Sequence, residues 1–235
     1  SFTWKVWIIM GLFHSPNIIT DGLVTLLDAG NSKSYSGSGT TWTDLSPNQQ
    51  DATMNGNPAF TTSDGVACFD LDGDGDYFEI ANHVNVSPAV TASCWIQSHT
   101  ANWNDYGWMM SKRNQFLLHP NSAGSDQDML WYIHNGSFRS AGTYVSFDIT
   151  QWHNWTGTYD GTTLKLYRNG ELVASSSSSG TLTSSTSSLG IGYDIGLAGT
   201  RFGEARIANC MVYNKALTSS QVTQNFEAMR GRFGI

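Results

Sequence analysis

Residues 152–180 decide the fold class. They read WHNWTGTYDGTTLKLYRNGELVASSSSSG, and this pattern predicts three short antiparallel strands joined by two tight turns. The first predicted turn is Tyr159-Asp160-Gly161. The second is Asn169-Gly170, a pair typical of type I′ hairpin turns because both central residues of such a turn need positive φ.

The residues between the two turns alternate in polarity. Leu164 and Leu166 fall on one face of the strand, and Lys165 and Tyr167 fall on the other. A period of two is the signature of a strand with one buried face and one wetter face.

The same alternation and turn spacing recur along most of the chain. Further strands are predicted within 21–30, 90–100, 188–196 and 204–214, and residues 66–80 are predicted to form a hairpin around the turn DGDG. The recurrence predicts an all-β fold: an antiparallel two-sheet β-sandwich of jelly-roll type, with about twelve to fourteen strands.

A single helix is predicted at the C-terminal end. Thr218 and Gln221 form a capping box, and three apolar side chains then follow at helical spacing, with Gly231 as the predicted stop. The apolar residues are Val222, Phe226 and Met229.

The chain is predicted to contain one domain, residues 20–235, preceded by an N-terminal arm or extension, residues 1–19. The apolar start, residues 1–13, is shorter than the roughly 20 residues that a membrane helix needs. The serine-rich run 175–188 lies between two predicted strands, so it is interpreted as a polar edge strand and a loop, and not as a linker.

Composition excludes several functional classes. The formal net charge is −7, and charged residues make up 13% of the chain, against about 25% in an average soluble domain. Without a basic stripe, neither nucleic-acid binding nor membrane anchoring is expected. Cys68, Cys94 and Cys210 each lie in an apolar run, which favours buried free thiols; one disulfide with one remaining thiol is the alternative.

At the level of motifs, the chain resembles the concanavalin A-like lectin/glucanase superfamily, and within it the laminin G-like jelly rolls. The resemblance rests on W-H-x-W-x-G-T-Y-D-G-x-x-L-K-L-Y-x-N-G-E-L, on CFDLDGDGDYFEI, on TASCWIQ and on RIANCMVYNKALTSSQVTQNF. These segments occur in the order seen in such domains and span roughly residues 20–230.

The resemblance implies a non-catalytic carbohydrate-binding or adhesion module, of a kind similar to proteins of phages and environmental bacteria. Its partner would be a glycan or cell-surface polysaccharide, and its location extracellular or on a virion surface. A structural virion protein that contacts other virion proteins or its own copies is the alternative, and a glycan-active hydrolase is a second one.

The carboxylates argue against the hydrolase. The four glutamates, Glu79, Glu171, Glu204 and Glu227, lack the E-x-D-x-x-E spacing of the superfamily's glucanases. Glycosidases need two carboxyl groups held a defined distance apart across the scissile bond. The chain is therefore predicted not to be an enzyme.

Two candidate sites follow from residue types. The loop ANWNDYGW and the residues after it combine aromatic rings with polar groups, as sugar binding requires, in Trp103, Asp105, Tyr106, Trp108, Lys112, Arg113 and Asn114. The alternative is that Trp103 and Trp108 cap the core. The carboxylates Asp72, Asp74 and Asp76 form a candidate calcium site, whose alternative is a solvated turn.

Overall fold

A computed structural model describes residues 15–104, 107, 109–120, 128–143, 147–197, 199 and 201–235. Within these ranges the chain forms sixteen strands, one α-helix and one 3₁₀ turn. The strands are β1 (Leu23–Asp28), β2 (Thr41–Trp42), β3 (Ala52–Asn55), β4 (Ala59–Ser63), β5 (Val66–Asp72), β6 (Tyr77–Ile80), β7 (Val90–Ser98), β8 (Met110–Lys112), β9 (Phe116–His119), β10 (Met129–His134), β11 (Phe138–Thr143), β12 (His153–Tyr159), β13 (Thr163–Arg168), β14 (Glu171–Ser177), β15 (Leu189–Ile191) and β16 (Glu204–Tyr213). The helix α1 spans Ser219–Met229, and the 3₁₀ turn spans Arg230–Phe233.

The strands form two antiparallel sheets. The first has the order β14-β13-β12-β7-β16-β5-β4, with β1 also paired to β16; the second has the order β11-β10-β9-β8-β15-β6-β3-β2. Apolar side chains from the two inner faces form one core between the sheets. The predicted two-sheet sandwich with one short C-terminal helix is confirmed.

The stretch 152–180 folds as predicted. Strand β12 pairs with β13, and β13 pairs with β14. Asn169 and Gly170 have φ values of 51° and 79°, as a type I′ turn requires. Strand β14 ends the first sheet, so the serine-rich run does begin as an edge strand.

The predicted hairpin over residues 66–80 is wrong. Strand β5 lies in the first sheet and β6 in the second, and the two do not pair with each other. The turn Gly73–Asp76 therefore carries the chain from one sheet to the other. A glycine-rich turn has the same local sequence pattern whether it closes a hairpin within one sheet or connects strands of two different sheets. Only the hydrogen-bonded partners of the two strands distinguish these cases.

Tyr167 is buried, contrary to the prediction that it faces a wetter surface. It packs with Tyr213, Leu217 and Val222 beneath α1. The helix therefore covers part of the outer face of the first sheet.

Residues 15–20 lie beside α1: Ile19 N donates to Asn225 Oδ1 at 2.8 Å, and Gln224 Nε2 donates to Asn17 O at 2.8 Å. Residues 1–14 of the predicted arm lie outside the described residues, and its boundary stays a prediction.

The capping box at the start of α1 is confirmed, since Thr218 and Gln221 each accept from the other's backbone N–H. The predicted end is wrong. The chain continues past Gly231 in the 3₁₀ turn, and the left-handed residue is Gly234, with φ of 74°. The extension places the Phe233 ring on Trp95, with ring centroids 3.7 Å apart and planes 4° apart.

All three cysteines, Cys68, Cys94 and Cys210, are free and buried, as predicted. None of the helices within the described ranges is both long enough and apolar enough to cross a bilayer.

The Phe233–Trp95 stack should contribute substantially to stability. We expect Phe233→Ala to lower the free energy of unfolding by about 3 kcal/mol, because a buried phenyl ring is lost. Urea denaturation measures the change. Ile235→Ala, which alters an exposed side chain two residues away, serves as the control and should change stability by less than about 0.5 kcal/mol. Equal effects of the two substitutions would contradict the assigned role of the stack.

Candidate functional site

The outer face of the second sheet carries a group of aromatic side chains whose exposure ranges from buried to exposed. In β10, Trp131 and Ile133 belong to the core, so Tyr132 and His134 point to the opposite face. The pairing of β10 with β11 sets Phe138 opposite His134. Phe138 is 38% exposed, which makes it one of four exposed large apolar side chains among the described residues.

These rings contact one another across three neighbouring strands. Tyr132 stacks on His119, with centroids 5.1 Å apart and planes 3° apart. Phe138 meets His134 edge-on at 4.8 Å and Tyr132 at 6.5 Å. We call His119, Tyr132, His134 and Phe138 the aromatic patch.

An ion pair borders the aromatic patch. Arg113 lies in the turn between β8 and β9, and its Cζ is 5.1 Å from the centroid of Phe138. Its Nη1 donates to Asp194 Oδ2 at 2.7 Å. Asp194 comes from the loop after β15 and is fully buried. Its other oxygen, Oδ1, accepts from Ser111 Oγ at 2.7 Å.

His119 contributes a neutral ring to the patch. Burial lowers its pKa to about 4, and the nearby charges of Arg201 and Arg113 act in the same direction. The imidazole is therefore uncharged at neutral pH, so it can stack on Tyr132 without a buried charge.

The site joins two kinds of chemistry. Aromatic faces accept the apolar C–H surface of a ligand, and a guanidinium group beside them donates directional hydrogen bonds. Strand pairing fixes the spacing of the aromatic rings, and the ion pair with Asp194 holds the guanidinium group in the adjoining turn. Pockets that bind small ligands typically combine such apolar surfaces with a few placed polar groups.

The residues predicted from the 102–114 loop lie in different environments. Arg113 borders the aromatic patch, and Asn114 is exposed in the same turn, with φ of 63°. Trp103 is only 2% exposed and belongs to the core, as the alternative interpretation expected. Asp105, Tyr106 and Trp108 lie outside the described residues.

Lys112 is also buried, which removes it from a ligand-contacting surface. Its Nζ donates to His83 O at 2.8 Å and to Ser187 O at 2.7 Å. Burial lowers the pKa of Lys112 to about 8. It lies on the same face of β8 as the core residue Met110, and its ammonium group ties two loops to the strand.

The candidate calcium carboxylates have separate partners. Asp72 Oδ1 accepts from Asp74 N at 2.8 Å, whereas Asp76 Oδ1 accepts from Asn57 N at 2.6 Å. Burial raises the pKa of Asp76. In the part of the chain that the structure describes, no three or more His, Cys, Asp or Glu side chains form a group suited to a metal ion. Calcium binding by Asp72, Asp74 and Asp76 stays a prediction.

Two carboxylates lie beside the same histidine, His99, near one edge of the first sheet. Asp70 and Glu204 lie 2.6 and 3.7 Å from the two ring nitrogens of His99. Asp70 also accepts from Arg206 Nε at 3.1 Å. Both carboxylates therefore belong to an ion-pair network with His99 and Arg206. That the protein is not an enzyme stays a prediction.

Comparison with known families agrees with the fold and its order of motifs. A laminin G family model, described as concanavalin A-like lectin/glucanases superfamily, matches residues 72–223. The chain belongs to this superfamily. The matched region begins at the end of β5 and runs into α1, so it includes all the strands that carry the aromatic patch. The comparison with curated proteins gives no match.

Solved structures of low sequence identity share this fold. Domain 4 of AbnA, a GH43 extracellular arabinanase from Geobacillus stearothermophilus, has a TM-score of 0.69 at 16% identity, covering 88% of this chain and 99% of that one. The binding domain of Paraclostridial Mosquitocidal Protein 1 has a TM-score of 0.67 at 18% identity, covering 87% of this chain. The receptor binding domain of botulinum neurotoxin C/D mosaic serotype has a TM-score of 0.66 at 17% identity, covering 89% of this chain. The chain spans about half the length of the two toxin domains, 52% in each case.

Buried Lys112 should leave a signature in the pH dependence of stability. Its pKa is about 8 in the folded protein and about 10.4 in an unfolded chain. Between these values the unfolded chain binds more protons, so the free energy of unfolding rises with pH. We expect Lys112→Met to lack this rise. Urea denaturation at pH 7.5 and 9.5 measures it, and equal pH dependences of the variant and the native protein would contradict the assignment.

Proposed function

We propose that this protein is a non-catalytic carbohydrate-binding module that contacts its glycan on the outer face of the second sheet. The observation that carries the proposal is the aromatic patch, in which exposed Phe138 lies beside Tyr132 and beneath the Arg113 guanidinium. A sugar ring has apolar C–H faces and hydroxyl edges, and this face offers an aromatic partner for the first and hydrogen-bond donors for the second.

The rigidity of this face favours binding. Tyr132 and Phe138 are fixed on paired strands, and Tyr132 is further held by its stack on His119. A preordered surface loses little conformational entropy when a ligand binds. The predicted segment 102–114 reaches the same side of the fold through Arg113, whose guanidinium lies over Phe138 of the aromatic patch.

The structural relatives support a binding role. The arabinanase domain is described in complex with arabinotriose, and a botulinum neurotoxin DC binding domain is described in complex with SialylT. The arabinanase domain is a particularly apt comparison because nearly its whole length is covered. By analogy, we propose that the present module attaches to a cell-surface polysaccharide from an extracellular position. The suggested place on a virion surface rests on the motif resemblance alone.

The proposal is tested on an array of neutral, carboxylated and sulfated oligosaccharides. The native protein should bind at least one class, and Phe138→Ala should weaken that binding about tenfold or more, which corresponds to roughly 1.4 kcal/mol. Phe60→Ala is the matched control. Phe60 is 39% exposed, also aromatic and also on an edge strand, but it lies on the first sheet.

Two results would contradict the proposal. The first is an array on which the folded native protein binds no glycan. The second is binding that Phe138→Ala and Phe60→Ala change equally, because the glycan would then contact another surface. Thermal unfolding of each variant shows whether a loss of binding reflects a loss of structure.

A further inference from the structure

We infer that the glycan bound at this face carries an oxyanion, either a carboxylate or a sulfate group, and that Arg113 binds it. This inference rests on the proposed function and goes further, since it names the chemical class of the ligand and the group that selects it.

The first observation is the number of hydrogen-bond donors that Arg113 leaves unused. A guanidinium has five N–H donors. Within the described residues, the side chain of Arg113 makes one hydrogen bond, from Nη1 to Asp194. The side chain is nevertheless only 21% exposed. Asp194 already pairs with the charge of Arg113, so a ligand oxyanion would bind through the remaining donors, in charge-assisted hydrogen bonds that are about twice as strong as neutral ones.

The second observation is that Arg113 is held in place. Asp194 is fully buried and is fixed by Ser111 at Oδ1. Phe138 lies against the guanidinium on another side, and the arginine stem packs against Gly196, where a Cβ would come within 2.4 Å of Arg113 Cβ. An arginine held in this way loses little rotamer freedom on binding.

The third observation is the shape match between donor and ligand. The planar guanidinium fork fits the two oxygens of a carboxylate, or two oxygens of a sulfate, in a bidentate contact. In the aromatic patch beside it, the exposed ring of Phe138 offers a surface for the sugar ring that bears the anion.

The test compares Arg113→Gln with a matched control, Arg168→Gln. Arg168 also lies over a phenylalanine ring, with its Cζ 4.2 Å from the centroid of Phe147, but it belongs to β13 of the first sheet. Both variants and the native protein are applied to the array of neutral, carboxylated and sulfated oligosaccharides at 50 and 500 mM NaCl. Affinities for the strongest carboxylated, sulfated and neutral probes are then measured by calorimetry.

We expect the native protein to bind an anionic probe at least about tenfold more tightly than its neutral counterpart. Arg113→Gln should remove that preference and should also weaken neutral binding, though by a smaller factor, because the guanidinium donates to sugar hydroxyls as well. Arg168→Gln should leave both the preference and the neutral binding in place. Arg113→Lys, which retains the charge but not the fork, should lose part of it. The preference should also shrink at the higher salt concentration. The carboxylated and sulfated probes show which oxyanion is preferred.

The outcomes separate the two proposals. Tight binding of neutral glycans that depends on Phe138 but not on Arg113 would overturn the oxyanion inference and leave the proposed function standing. Equal losses in Arg113→Gln and Arg168→Gln would also overturn it. An array with no bound glycan of any class would overturn the proposed function itself.

Discussion

The central strand β7 is the constraint on which the rest of the structure depends. All nine of its residues, Val90–Ser98, are buried, and it pairs with β12 on one side and β16 on the other. An antiparallel strand usually leaves one face to water, but here both faces are covered. The polar side chains of its outer face, Thr91, Ser93 and Gln97, must therefore find partners inside the protein, because a buried polar group without one is costly.

Those partners connect distant parts of the chain. Thr91 Oγ1 donates to Lys215 O and accepts from Leu217 N, which fixes the entry to α1. Gln97 Nε2 donates to Asp64 Oδ2 and to Thr150 O. Between them, Trp95 carries the Phe233 stack. The outer face of the first sheet is consequently occupied by the protein's own C-terminal segment and by polar networks, so the second sheet offers the more open surface for recognition.

The sequence predicted features that depend on neighbouring residues, and failed where a distant segment decides the outcome. The Asn169-Gly170 turn and the Thr218 capping box are local, and both were predictable. Alternation showed that Lys165 and Tyr167 share a face, but it could not show that α1 covers Tyr167. Arg113 was recognisable as a polar ligand candidate from its type and context. Asp194, 81 residues away, carried no signal of its own, because its role exists only after the two segments meet.

The spacing of the strands in the second sheet sets the size of the candidate site. Neighbouring strands are about 4.8 Å apart, so a patch across β9, β10 and β11 is about 10 Å wide, the scale of a short oligosaccharide and not of a single functional group. Its width is set by the pairings His119–Leu130 and Tyr132–Ser140, which the sandwich core holds in register. The strands then fix where a sugar ring of the ligand stacks on the patch. The loops beside the patch can select among ligands, since Arg113 in one of them is the group proposed to bind the ligand's oxyanion.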